Sequence, residues 1–328
     1  MHDTRYGIQS PGITETPFRL PEEGVLATLA YFDLFDYPLT KKEIYQFMPF
    51  SMQQEHLPGL LDELVCRQVI FLFNGYYLLK NDPALVLRRT EGNERARLLL
   101  EKARKIGRFL YQFPFVRAVG VSGSLSKNFA DKDADIDFFI IAAKNRLWLA
   151  RTFMHIYKKF TFLAGRQHYH CMNYYIDEEA YDLPEKNIFT AIEIKTLLPV
   201  CGDGTMRAFF MANKWADQWL PQCDYRLQPV ADPNATWFKR AGEWLFKGKA
   251  GQRLENFFYR LTASRWKRKE RQGMKNDKGI KMGLITDPHF ARSNPGGFQE
   301  QILRLYKERL SVVLQKEDSR QLIVSSVK

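Results

Sequence analysis

The sequence of 328 residues has little cysteine and no long apolar segment. Its four cysteines form no CxxC pair, which argues against a disulfide framework and favours reduced core thiols. No apolar run approaches the roughly 20 residues of a membrane-spanning helix. The first residues also lack the basic region and apolar stretch of a secretory signal. We therefore expect a cytoplasmic protein.

The motifs of two common enzyme classes are missing as well. There is no G-x-S-x-G nucleophile elbow and no P-loop, so neither a serine hydrolase nor a Walker-type ATPase is supported. His168 and His170 alternate in one segment, but no second His or Cys pair stands at zinc-binding spacing. We interpret these two histidines as core or surface residues.

The charge of the chain is concentrated in one segment. Lys and Arg number 49 against 37 Asp and Glu, a net charge of +12. Residues 239–281 alone contain 14 basic and 4 acidic side chains, so the rest of the chain is nearly neutral. Such a segment indicates a polyanionic partner, either a nucleic acid or nucleotide phosphates. A solvated basic helix accounts for the pattern equally well.

The N-terminal part predicts three short helices followed by a hairpin. After a leader over residues 1–20, apolar spacing predicts helices from Pro21 to near residue 37, over 41–48 and over 52–68. Thr40 and Glu43 form a capping-box pattern at the second helix. Asn74-Gly75 then separates two apolar runs, the strongest short signal for a hairpin. This succession predicts a winged helix-turn-helix domain.

The third predicted helix argues against DNA binding by this domain. It carries Glu55, Asp62 and Glu63, with Arg67 as its only strong cation. Since Lys and Arg provide most of the affinity for phosphates, an acidic helix is repelled by DNA. We therefore favour a substrate-positioning module or a module that contacts a protein partner, with DNA binding as the lesser alternative.

The remainder divides into a connecting helix, an α/β core and a helical region. The core pattern is strand (116–122), strand (135–142), helix (145–164), strand (168–177), and the pattern beyond residue 184 is mainly helical. We expect an α/β (α+β) core between the winged domain and a basic helical C-terminal region. The predicted domains are a leader 1–20, a winged helix-like domain 21–82, a connecting helix 83–112, a core 113–200 and a mainly helical basic region 201–328.

One segment of the core combines groups that suit phosphate and metal chemistry. The first strand ends at Gly123-Ser124, where backbone amides at a helix start can donate to an anion, and Lys127 lies within reach of the same anion. Asp135 and Asp137 follow on the next strand and alternate on it, so both project from one face. Two carboxylates this close repel each other unless cations lie between them, and Mg²⁺ favours such oxygen ligands.

This Gly-Ser turn with its spaced D-x-D pair resembles the nucleotidyltransferase superfamily typified by DNA polymerase beta. The resemblance implies an Mg²⁺-dependent (or Mn²⁺-dependent) two-metal transfer of a nucleoside monophosphate from a triphosphate, ATP included, with release of pyrophosphate. Gly123, Ser124 and Lys127 would bind the nucleotide, and Asp135 and Asp137 would be catalytic metal ligands.

The family pattern usually includes a third carboxylate on a neighbouring strand. Asp177, at the end of the third predicted strand, is the candidate catalytic and metal-binding residue if that strand runs antiparallel to the second. If the strands are parallel, Asn173 lies nearer, and an amide cannot act as a base. The acidic run beginning at Asp177 is also compatible with a solvated turn.

Two functions follow from these patterns. The leading one is a nucleotidyltransferase acting on an unidentified hydroxyl acceptor, with RNA favoured weakly through Lys239–Lys281. The alternative is a non-catalytic nucleic-acid-binding or regulatory protein whose nucleotidyltransferase core is degenerate.

Overall fold

The computed structural model describes residues 20–163, 171–226, 229–230, 232–275, 279–281, 283–293 and 295–326. Its first 63 described residues, 20–82, form the N-terminal module. The module consists of three α-helices, a short 3-10 helix (Gln54–His56) and a three-stranded antiparallel sheet of order β1-β3-β2. In chain order these elements are α1 (Pro21–Asp33), β1 (Leu39–Thr40), α2 (Lys41–Phe47), α3 (Leu57–Cys66), β2 (Phe71–Phe73) and β3 (Tyr76–Leu78).

The predicted helices and hairpin of this module are confirmed as elements. At the start of α2 the Thr40 hydroxyl accepts from the Glu43 N–H, and the Glu43 carboxylate accepts from the Thr40 N–H at 2.9 Å. Asn74 and Gly75 both have positive φ, as the tight turn between two paired strands requires. The short strand β1 was not predicted, and assignment to the winged helix class stays a prediction.

A long helix leads from the module into the central sheet. This helix, α4 (Ala84–Leu110), is followed by β4 (Val116–Val121), the single turn α5 (Gly123–Ser126) and β5 (Asp137–Ala142). Helix α6 (Leu147–Leu163) then crosses to β6 (Cys171–Asp177), which pairs parallel to β5. A crossover helix is what a parallel connection needs.

Among the described residues, the central sheet has six strands and includes strands from the C-terminal part of the chain. Beyond β6 come α7 (Ile188–Thr196), β7 (Leu198–Cys201), α8 (Asp203–Ala212), α9 (Trp237–Phe246), α10 (Lys249–Arg271), β8 (Leu284–Thr286), β9 (Phe290–Ser293) and α11 (Phe298–Ser326). The strand order is β7-β4-β5-β6-β9-β8. The region beyond residue 200 was predicted as mainly helical, and most of its described elements are helices. Strands β8 and β9 were not predicted, and they extend the core sheet from a segment that the sequence indicates only as turn-rich.

Both faces of the central sheet are covered. From β5, Phe138 and Ile140 enter one apolar cluster with Trp148 of α6, whereas Phe139 and Ile141 enter a second cluster on the opposite face. This burial on two sides explains the uninterrupted apolar run of β5. In the described ranges, no helix combines the length and the apolar character needed to cross a membrane.

Candidate active site

The turn after β4 brings the backbone against an aspartate. Gly123 has φ +70°, and a Cβ at this position would lie 2.7 Å from Asp137 Oδ2. The Ser122 N–H donates to the Asp137 carbonyl at 2.9 Å, which continues the pairing of β4 with β5. Glycine is therefore required here both for its left-handed backbone and for the close approach of the carboxylate.

Asp137 is a largely buried carboxylate in a negative environment. Burial, followed by the charges of Asp135 and Glu193, raises its pKa to about 7, against the opposing effects of a hydrogen bond from Asn173 and the charge of Lys127. Strand β5 begins at Asp137 itself. The prediction that Asp135 also lies on this strand is therefore wrong, because Asp135 precedes it. Its charge nevertheless acts on Asp137. A divalent cation is the ligand that would relieve this repulsion.

The expected anion-binding groups already hold a carboxylate. Lys127 Nζ donates to Glu193 Oε1 at 2.6 Å, and the Gly123 N–H donates to Glu193 Oε2 at 3.3 Å. Glu193 projects from α7, far along the chain from the Gly-Ser turn, and sequence reasoning missed it. The one available signal was an acidic residue between Ile192 and Ile194 in an apolar helix.

The predicted third carboxylate lies elsewhere. Because β6 is parallel to β5, Asn173 comes beside the site and its Nδ2 donates to Asp137 Oδ1 at 2.5 Å. Asp177 pairs with Ala142 at the opposite end of the strands. There its buried carboxylate accepts from the Asn145 N–H at 2.8 Å and contacts His289 Nδ1 at 3.0 Å. The prediction of Asp177 as a catalytic metal ligand is corrected by this geometry.

A single cavity brings together four of the predicted site residues. It has a volume of about 460 Å³, and Gly123, Ser124, Lys127 and Asp137 line it together with Glu193. Asp135 is not among the lining residues, although its charge acts on Asp137. Within the described part of the chain, no three His, Cys, Asp or Glu side chains are grouped as a complete metal site. Two carboxylates suffice for Mg²⁺ when substrate phosphates and water complete its coordination, so the donor set fits a cation that arrives with a nucleotide.

The N-terminal module contacts the loop that follows the Gly-Ser turn. This loop comprises residues 127–131 and is called the 127–131 loop. The Tyr37 hydroxyl donates to the Lys127 carbonyl. From α4, the Gly92 carbonyl accepts from the Ala130 N–H at 3.1 Å. Phe129 packs in the core of the module. The module and α4 together therefore fix the position of Lys127.

Other candidates from the sequence have structural positions. Lys239 is buried and donates to the carbonyls of Tyr111 and Val116 at 2.7 and 2.8 Å, so it is no surface cation. Tyr259 packs on Trp148 with ring centroids 5.3 Å apart. His168 and His170 lie outside the described residues.

Comparison with known families agrees with this site. Residues 100–196 match the family model of the nucleotidyltransferase domain. That stretch includes the Gly-Ser turn, both aspartates of the D-x-D pair, and α7. The chain therefore carries a nucleotidyltransferase domain, which supports a transferase that acts by nucleotidyl transfer in general. No curated protein and no solved structure matches the chain.

Proposed function

We propose that this protein transfers a nucleoside monophosphate from a nucleoside triphosphate to a hydroxyl acceptor and releases pyrophosphate. One observation carries the proposal. Inside the matched domain, a turn that binds a carboxylate (Gly123, Lys127) and a largely buried carboxylate in a negative environment (Asp137) line the same cavity. Phosphoryl transfer depends mainly on positioning and on electrostatic stabilisation, and these are the groups that provide them.

The triphosphate would bind at the turn. The Gly123 N–H and Lys127 Nζ already donate to the two oxygens of the Glu193 carboxylate, which supports a preference of this position for an anion. Ser124 is exposed at the same turn and lines the cavity. Phosphate oxygens would take the place of the carboxylate, and Lys127 would neutralise charge on the leaving pyrophosphate.

Asp135 and Asp137 would hold Mg²⁺ or Mn²⁺. A bound cation supplies charge neutralisation of the phosphates and lowers the pKa of the acceptor hydroxyl. Asn173 keeps Asp137 oriented through its hydrogen bond. Glu193 is a further acidic side chain beside the turn and, once phosphate displaces it, is the candidate to accept the proton of the acceptor hydroxyl.

RNA is one acceptor that the charge distribution supports. Helix α10 presents exposed cations, Arg253, Arg260, Arg265 and Arg268 among them, and phosphate neutralisation is the main source of affinity for nucleic acids. The N-terminal module would then act as the substrate-positioning element, since it holds the 127–131 loop, or contact a protein partner.

A second candidate function is favoured by Asn173. It occupies the place beside Asp137 where the family pattern has a carboxylate, and an amide is no base. A protein with this site could bind nucleotide phosphates and nucleic acid without turnover, as a regulatory or nucleic-acid-binding protein.

Labelled nucleoside triphosphates, Mg²⁺ and mixed RNA separate the two functions. We expect pyrophosphate release by the wild-type chain and a loss of at least a hundredfold in Asp137→Asn, the size typical for removal of one electrostatic catalytic group (roughly 10²–10³). Asp133→Asn is the matched control, because Asp133 is exposed in the preceding loop, and it keeps full activity. Release unaffected by Asp137→Asn, or no release under any condition with nucleic-acid binding intact, contradicts the proposal.

A further inference from the structure

The cavity at the Gly-Ser turn has a second, apolar end. From Lys127 and Asp137 it extends to α1 and the turn that follows it, residues 34–37, and to α7 and α11. Of these elements, α7 lies inside the matched nucleotidyltransferase domain, whereas α1, its following turn and α11 lie outside it. The volume of about 460 Å³ lies in the range of roughly 300–1,000 Å³ typical of small-ligand sites.

Seven aromatic side chains line this apolar end. Four are buried and form its floor, namely Tyr31, Phe32, Tyr37 and Phe129. Three others form its rim and keep part of their ring surface uncovered, namely Phe35, Phe189 and Phe298. The Phe189 and Phe298 rings are 6.1 Å apart at an interplanar angle of 76°, and the side chain of Phe298 is 45% exposed.

The charged groups at this end are already paired. Asp36 accepts from Lys80 at 2.6 Å. Arg88 binds both carboxylate oxygens of Asp131 and also donates to the carbonyls of Phe35 and Asp36. Paired charges beside open aromatic faces favour a flat, uncharged group over a phosphate or a cation.

We propose that the apolar end binds the nucleobase of the donor nucleotide, with Phe35 of the N-terminal module and Phe298 of α11 as stacking residues. This inference rests on the proposed function for its ligand. With the triphosphate at Lys127, the base lies toward the other end of the same cavity. The two segments that flank the domain on either side, α1 with its turn and α11, thus provide the stacking residues, and the domain contributes Phe129 and Phe189 to the same apolar end.

The test compares ATP with tripolyphosphate, which has the same anionic groups but no base. We expect Phe35→Leu and Phe298→Leu each to weaken ATP binding about tenfold in calorimetric titrations, because each variant removes a ring on which the base stacks. Tripolyphosphate affinity stays within twofold of wild type. Leucine retains apolar volume, and thermal melts confirm that each variant folds.

Phe257→Leu is the matched control, a 55%-exposed phenylalanine on α10 that does not line the cavity; it leaves ATP binding unchanged. ATP affinity equal to wild type in both rim variants, or an equal loss for ATP and tripolyphosphate, overturns the inference. The proposed function fails separately: if the rim variants lose ATP selectively while no pyrophosphate is ever released, the base site stands and the enzyme activity does not.

Discussion

At the scale of single residues, the central feature is the carboxylate of Glu193 on the groups proposed for phosphate. A charged hydrogen bond from Lys127 and another from the Gly123 amide hold it there. A bound triphosphate must compete with this carboxylate, which makes Glu193 a negative determinant of phosphate affinity.

Glu193→Gln tests this competition directly. The glutamine amide keeps the size of the side chain but carries no charge, so it binds Lys127 and the Gly123 N–H less strongly. These two donors are then more available to phosphate. We expect tripolyphosphate to bind about tenfold more tightly, equivalent to about 1.4 kcal/mol, in calorimetric titrations without metal. An unchanged or weaker affinity contradicts the competition.

The control for this change is Glu243→Gln. Glu243 is exposed to nearly the same extent, 27% against 28% for Glu193, and is also paired with a cation, Arg117 at 2.7 Å. Because it lies away from the cavity, its replacement leaves tripolyphosphate binding as in wild type.

Residue identities of the site were only partly predictable from sequence. The turn at Gly123 and the pair Asp135 and Asp137 follow from local spacing, which the sequence displays directly. Glu193 reaches the site only because α7 packs beside the turn, a contact across about 70 positions that no local pattern encodes. Its isolation in an apolar helix was the single clue.

At the scale of elements, the direction of β6 determines which residue meets Asp137. The spacing of the sequence left Asp177 and Asn173 as alternatives, and the parallel pairing brings Asn173 to the site. The predicted helix over 145–164 held the information needed, because strands joined through a crossover helix are usually parallel. Strands β8 and β9 were missed since runs of three or four residues in a turn-rich segment have too little periodicity.

The anchoring of the 127–131 loop by Tyr37 can be tested with a single substitution. Tyr37→Phe removes the hydroxyl that donates to the Lys127 carbonyl and leaves the ring in place. We expect the loop amides of residues 128–130 to exchange hydrogen several-fold faster, while the free energy of unfolding falls by about 1 kcal/mol, typical of one hydrogen bond.

Tyr45→Phe is its control. The Tyr45 hydroxyl likewise donates to a backbone carbonyl, that of Met52 at 3.3 Å, within the N-terminal module. Tyr45→Phe should lower the free energy of unfolding by a similar amount without altering amide hydrogen exchange in the 127–131 loop. Equal exchange in the two variants would show that Tyr37 does not fix the loop.

At the scale of the whole molecule, the two ends of the described chain meet. Arg309 of α11 pairs with Asp33 of α1 at 2.8 Å, and the Tyr306 and Tyr31 rings are 5.6 Å apart. The first and last helices therefore close around the domain between them and complete the cavity. Composition and periodicity indicate both helices, but not that they pack together.

Global stability should depend on pH through His155 of α6. Burial, and then the charges of Arg151, Lys158 and Lys159, lowers its pKa to about 3, and its Nε2 is buried without a hydrogen-bond partner. Between pH 6.5 and 3 the unfolded chain takes up a proton that the folded chain refuses, so stability falls as the pH drops. The loss between pH 7 and pH 5 is about 2 kcal/mol for this group.

His155→Leu should remove that share of the pH dependence. Urea unfolding gives the free energy of unfolding at pH 7 and at pH 5. We expect the difference between these two values to be smaller in His155→Leu than in wild type. The exposed His56, replaced by Gln, serves as the control and retains the wild-type difference. A pH dependence unaltered by His155→Leu would show that this histidine is protonated in the folded chain.

The proposed activity requires a divalent cation bound between the Gly-Ser turn and the D-x-D pair. A crystal grown with Mn²⁺ and a non-hydrolysable nucleoside triphosphate measures this through the anomalous signal of manganese. We expect a peak within about 2.0–2.4 Å of carboxylate oxygens of Asp135 and Asp137, with the triphosphate on Gly123 and Lys127. Manganese bound elsewhere, or a triphosphate bound with both aspartates free of metal, would contradict it.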